Sequence, residues 1–149
     1  MGGVRGIGLL ECIHKLISQI INLHLSKAIS FCDEVHGFRK KQGTFTAVGE
    51  TKLRMQIATC QLEVLYQVCL DLSKAYDSID RNKIVQLLKK YKMGPRLLAY
   101  VKKVWEDQHF VLRQAQFYSD PVSINQGVTQ GDIDSPIIFN IIVDAVLRE

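Results

Sequence analysis

The sequence predicts an α+β domain, and three observations carry that reading. Apolar residues recur at helical spacing in several segments, a largely apolar run from Val64 to Leu70 is rich in β-branched and aromatic residues, and a hairpin pattern follows. No internal repeat, low-complexity tract or linker interrupts the chain, so one domain is expected.

Taken in order, Leu9 to about Ile29 carries Ile13, Leu16, Ile17, Ile20, Ile21 and Leu25, a stripe that predicts a helix with one buried face. A loop from Cys32 to Gly43 follows. Thr44 to about Cys60 is helical again, with Ala47, Val48, Thr51, Met55 and Ala58 along one side. Val64-Leu65-Tyr66-Gln67-Val68-Cys69-Leu70 then fits a buried strand, which would set Asp71 at its C-terminal end. Asp80 has the chemistry of an N-cap for a helix through Ile84, Leu87, Leu88 and Tyr91. Gly94-Pro95 ends that helix and opens another through Leu97, Leu98, Val101 and Trp105. Phe110 to Phe117 and Val122 to Gln126, separated by Tyr118-Ser119-Asp120-Pro121, read as a hairpin, and Ser135 is expected to cap a last helix with Pro136 in its first turn.

The chain has 149 residues, enough for a hydrophobic core, and a net charge of +4. Its positive charge is unevenly spread: Arg81, Lys83, Lys89, Lys90, Lys92, Arg96, Lys102 and Lys103 run to Trp105 with no Asp or Glu among them. Such a stretch is either a solvated face or an electrostatic footprint for a phosphate backbone. Cys12, Cys32, Cys60 and Cys69 form no Cys-x-x-Cys pair, and apolar neighbours suggest buried free thiols. His14, His24, His36 and His109 lack metal-ligand spacing. With no membrane-spanning run and no signal-peptide pattern, an intracellular chain, nuclear or cytoplasmic, is expected.

A carboxylate leaving a buried strand is costly unless it is paired, hydrogen-bonded or holding a cation, so Asp71 needs explaining. A cap or a salt bridge would do. A second segment, Gln126-Gly127-Val128-Thr129-Gln130-Gly131-Asp132-Ile133-Asp134-Ser135-Pro136, favours chemistry instead, because glycines and an amide precede a helix start.

Asp71-Leu72-Ser73-Lys74-Ala75-Tyr76-Asp77 together with Gly127 to Pro136 resembles two boxes of reverse transcriptases, particularly those of non-LTR retroelements and group II introns. Arg5-Gly6-Ile7-Gly8-Leu9-Leu10 and His36-Gly37-Phe38-Arg39-Lys40-Lys41-Gln42-Gly43-Thr44 are similar to the family's two fingers motifs. The resemblance implies the fingers (about 1–62) and part of the palm (about 63–149) of a right-hand polymerase, with an antiparallel palm sheet packed on helices.

It also implies roles. Asp71, with the carbonyl of Leu72, would hold metal, and two Mg²⁺ (or Mn²⁺) ions serve the complete enzyme. Tyr76 would exclude a 2′-hydroxyl, Gln130 and Gly131 would touch the incoming deoxynucleoside triphosphate, and Arg39, then Arg5, would meet its phosphates. Lys89, Lys90, Lys92, Lys102 and Lys103 would line an RNA template and a DNA or RNA primer. Asp77 and Asp80 are read as turn and cap residues. Asp132 and Asp134 depart from the proline-leucine pair many relatives carry, and they put two negative charges beside the pocket. The family's aromatic-x-Asp-Asp box and thumb are not in these 149 residues, so this chain alone is expected to be inactive; the alternative is a non-catalytic, nucleic-acid-binding remnant.

Overall fold

A helix that is apolar almost all round must be surrounded, and Ser135–Leu147 is such a helix. The computed structural model describes residues 7–149. In chain order it comprises α1 (Cys12–Ala28), α2 (Thr44–Gln61), α3 (Arg81–Lys90), α4 (Pro95–Glu106), β1 (His109–Phe110), β2 (Arg113–Gln114), β3 (Phe117–Tyr118), β4 (Val122–Ser123) and α5 (Ser135–Leu147). Helices α1 and α3 pack on α5, and α4 packs on α3. Ile137, Ile138 and Ile141 of α5 meet Ile21 and Leu25 of α1, Ile84 and Leu88 of α3, and Val101 of α4 in one core. Burying each such side chain stabilises the fold by about 1.5–3 kcal/mol.

Helix α3 starts as expected: the Asp80 carboxylate accepts from the amides of Asn82 (2.8 Å) and Lys83 (3.4 Å). Helix α4 begins at Pro95 after Gly94, also as expected. At α5 the expected cap is corrected. Asp134 occupies the N-cap position, while the Ser135 hydroxyl donates to the Thr129 carbonyl at 2.7 Å, fastening the preceding loop instead.

Two other expectations about strands are corrected. The run from Val64 to Leu70 is not in a strand; it is exposed throughout and has no pairing neighbour among the described residues. Its pattern shows what it would bury beside a partner, but a strand exists only when another strand takes its hydrogen bonds. The described sheets are small: β1 pairs antiparallel with β4, and β2 with β3. The hairpin turns at Ala115-Gln116, where Ala115 has φ +53°, and not at Tyr118 to Pro121. Pro121 and Asp120 instead break the ladder between its two halves, where Ser119 donates its amide to the Leu112 carbonyl at 2.9 Å.

The helix stripes are only half used. In α1, Ile21 and Leu25 are buried with Ser18, while Ile13, Leu16 and Ile20 are exposed; α2 buries no residue at all. The cysteines follow these faces. The expectation of buried thiols is corrected: Cys12, Cys60 and Cys69 are exposed and Cys32 is half-buried, since apolar neighbours in the chain do not by themselves cover a side chain.

Candidate functional site

The two segments singled out in the sequence are sewn together by backbone hydrogen bonds. The Val128 amide donates to the Tyr76 carbonyl (3.0 Å), and the Gly127 amide to the Ile79 carbonyl (2.8 Å). The Gln126 side-chain amide adds a bond to the Ser78 carbonyl at 3.0 Å. Gly127 has φ +81°, and a β-carbon on it would lie 2.8 Å from the Tyr76 oxygen and 2.9 Å from the Asp77 α-carbon. Glycine is therefore required here by the neighbouring backbone, a closer reason than approach by a ligand.

Arg81 clamps the same junction. Its Nε donates to the Gly127 carbonyl (2.8 Å), Nη1 to the carbonyls of Trp105 (2.9 Å) and Ile124 (2.6 Å), and Nη2 to Gln108 Oε1 (2.6 Å). The guanidinium also lies 5.6 Å from the Trp105 ring centroid. Gln108 passes the connection on, donating to Thr129 Oγ1 at 2.6 Å.

On the other side the second segment is tied to the start of the described chain. The Gly8 amide donates to the Gln130 carbonyl at 2.8 Å. Gly131 has φ +105°, and a β-carbon there would come within 2.8 Å of the Gly8 oxygen. His14 on α1 pairs with the Asp132 carboxylate at 2.8 Å, and Asn22 donates to the Ile133 carbonyl at 2.9 Å. The Asp132 carboxylate is thus bonded to α1, while the residue also lines the cavity that Tyr76 and Gln130 share. Burial, with the Asp132 carboxylate next in effect, pushes the Asp134 carboxyl up to about 7.

Between these ties lies a cavity of about 430 Å³ that Phe38, Leu72, Lys74, Tyr76, Gln130 and Gly131 help to line. Its size suits a small-molecule ligand. Tyr76 is half-buried, its ring stacked on Phe139 (centroids 5.4 Å apart, planes at 23°), and burial raises its hydroxyl pKa. A larger cavity of about 610 Å³, which Leu72 also lines, lies between α3 and α5, walled by apolar residues such as Leu87, Ile142 and Val146.

Asp71 is exposed, next in the chain to Leu72, and lines neither cavity. Among the described residues no three His, Cys, Asp or Glu side chains come together as a metal cluster. Mg²⁺ is commonly held by one or two carboxylates plus substrate phosphates, so the donors of Asp71 and Leu72 fit it in type.

The remaining expected residues are dispersed. Arg39 does not reach the cavity; its Nη1 donates to the carbonyls of Cys32 (2.7 Å) and Val35 (2.9 Å), and its guanidinium lies 5.9 Å from the Phe31 ring centroid. Those carbonyls bind it within its own turn. Arg5 lies outside the described residues. Lys89, Lys90, Lys92, Lys102 and Lys103 are all exposed, and Lys103 pairs with Asp107 at 3.0 Å. No described helix is long and apolar enough to cross a membrane.

Two structural hubs escaped the sequence reading. Arg81 was counted among surface cations, and only its place directly after the capping Asp80 sets it apart. Asp144, fully buried in α5, accepts from Tyr91 Oη, Arg148 Nε (2.8 Å) and the Cys32 amide (2.6 Å). Burial opposes its charge, yet these donors hold its carboxyl well below the usual range, while burial and Asp144 push Tyr91 up to about 12. A lone Asp in an otherwise apolar helix was the available signal.

The α+β arrangement brings two loops distant in the chain, around Tyr76 and around Gln130, to one cavity. Residues 1–149 match the family model for reverse transcriptase (RNA-dependent DNA polymerase), and the chain belongs to that family. It is similar to the retrovirus-related Pol polyprotein from type-2 retrotransposable element R2DM of Drosophila melanogaster, 26% identical over 97% of this chain and 14% of that protein. A probable RNA-directed DNA polymerase from transposon BS, also of Drosophila melanogaster, is 26% identical over 92% of this chain and 16% of its own length. The retrovirus-related Pol polyprotein from type-1 retrotransposable element R2 of Nasonia vitripennis is 32% identical over 61% of this chain and 9% of its length. The chain thus spans a small part of each of these relatives.

Proposed function

We propose that this chain supplies the nucleotide-binding front of an RNA-directed DNA polymerase of retrotransposon type, its first part fingers-like and its second palm-like. The observation that carries the reading is the meeting of Tyr76 with Gln130 and Gly131 around one cavity, from segments more than fifty residues apart. In this reading Asp71 and the Leu72 carbonyl hold Mg²⁺ or Mn²⁺, and the bound ion supplies charge neutralisation at the triphosphate. Tyr76 walls the cavity where a sugar would lie and selects the deoxynucleotide, while the Gln130 amide orients it. The exposed lysines of α3 and α4 attract RNA template and primer backbones.

The test is binding of a deoxynucleoside triphosphate to the chain in the presence of Mg²⁺. Asp71 is exposed, so Asp71→Ala is expected to leave the melting temperature unchanged while removing the Mg²⁺-dependent part of the affinity. Equal affinity with and without Mg²⁺ in the parent chain would refute the metal assignment. The exposed lysine row favours one further reading, nucleic-acid binding without catalysis; salt-dependent RNA binding that survives Asp71→Ala, in a chain that binds no triphosphate, would select it.

A further inference from the structure

The turn carrying Phe38 is held from both sides. The Gly37 carbonyl accepts from the Asn140 side-chain amide at 2.6 Å, planting the turn on α5. On the other flank, the Arg39 guanidinium is bonded to the Cys32 and Val35 carbonyls at 2.7 and 2.9 Å. Between these anchors Phe38 adopts φ +51°, a left-handed conformation unfavourable for a bulky residue, and remains 73% exposed. It nevertheless borders the same cavity as Tyr76, Gln130 and Gly131.

An apolar ring kept in an unfavourable backbone conformation, and burying little, contributes little to the fold. We infer that Phe38 is a stacking residue of the cavity, its ring carrying the face of a nucleobase. This rests on the proposal that the cavity takes a nucleotide and adds which side chain receives the base. Stacking suits an aromatic that must accept any base, because every base offers a π-face. It also accounts for the double anchoring: a turn that presents a ring to a flat ligand gains from a backbone fixed beforehand.

The test compares dATP with 2-deoxyribose 5-triphosphate, which lacks the base, on the 149-residue chain with Mg²⁺, by calorimetric titration. The base is expected to strengthen binding about tenfold in the parent chain, a margin typical of one base–aromatic stack. Phe38→Ala should reduce that ratio to near one, and Phe38→Trp should preserve it. A ratio that Phe38→Ala leaves intact overturns the stacking role alone. Failure of the parent chain to bind dATP overturns both this role and the nucleotide reading beneath it.

Discussion

Gly127 lies directly against Tyr76: the Val128 amide next to it donates to the Tyr76 carbonyl at 3.0 Å, and a β-carbon on Gly127 would stand 2.8 Å from that oxygen. The contact joins two segments distant in the chain. Gly127→Ala is expected to destabilise the protein by about 2 kcal/mol or more, since it adds both a backbone clash and an alanine at positive φ. Urea unfolding would read this as a lowered midpoint. An unchanged midpoint would mean that the junction yields without cost.

Arg81 satisfies three carbonyls and one side-chain amide, so its removal leaves several acceptors short of a donor. Arg81→Met, similar in length, should cost about 2–4 kcal/mol. Arg81→Lys should recover only a part, because an ammonium cannot reproduce the planar fork. Thermal melts of both variants would check the order, and equal stability of the lysine and parent proteins would refute the forked role.

The raised Asp134 carboxyl gives a pH dependence with a definite sign. Folded, it titrates at about 7; unfolded, at an ordinary carboxylate value of about 3.9. Its contribution to stability is therefore full below the unfolded value and is lost as pH rises through the folded one. Asp134→Asn, which cannot ionise, should flatten that decline, gaining stability relative to the parent protein between acid and pH 8. Denaturation midpoints at several pH values decide it; parallel curves would contradict the shift.

The run from Val64 to Leu70 exposes Val64, Tyr66 and Val68 in succession on alternate positions. Unpaired apolar backbone of this kind templates pairing with other chains. Tyr66→Lys with Val68→Lys should reduce concentration-dependent association in sedimentation, with the melting temperature unchanged within about 1 °C, as expected of surface substitutions that remove no packing. Unaltered association would place the contact elsewhere.

Much of the architecture was legible because it is local. The Asp80 cap, the Gly94-Pro95 break and the span of α2 follow from caps and spacing that neighbouring residues enforce, whereas α1 begins at Cys12 and not at the expected Leu9, behind a Glu11 whose side chain makes no cap bond. The two boxes were legible too, since glycine, glutamine and aspartate at fixed offsets make a pattern independent of packing. The hairpin turn was not: Ala115-Gln116 carries no turn residue, whereas Asp120-Pro121 looks like one.

By itself the sequence determined the helices, the family and the two segments that meet at the cavity. Only the tertiary structure decided which apolar faces are covered, why Gly127 must be glycine, and that Arg81 and Asp144 are internal ties rather than surface charges. It also turned Arg39 into its own loop and left Val64 to Leu70 without a neighbour. The reason is physical: caps and turns are settled within a few residues, whereas burial, strand pairing and the partners of a charge depend on groups far away in the chain.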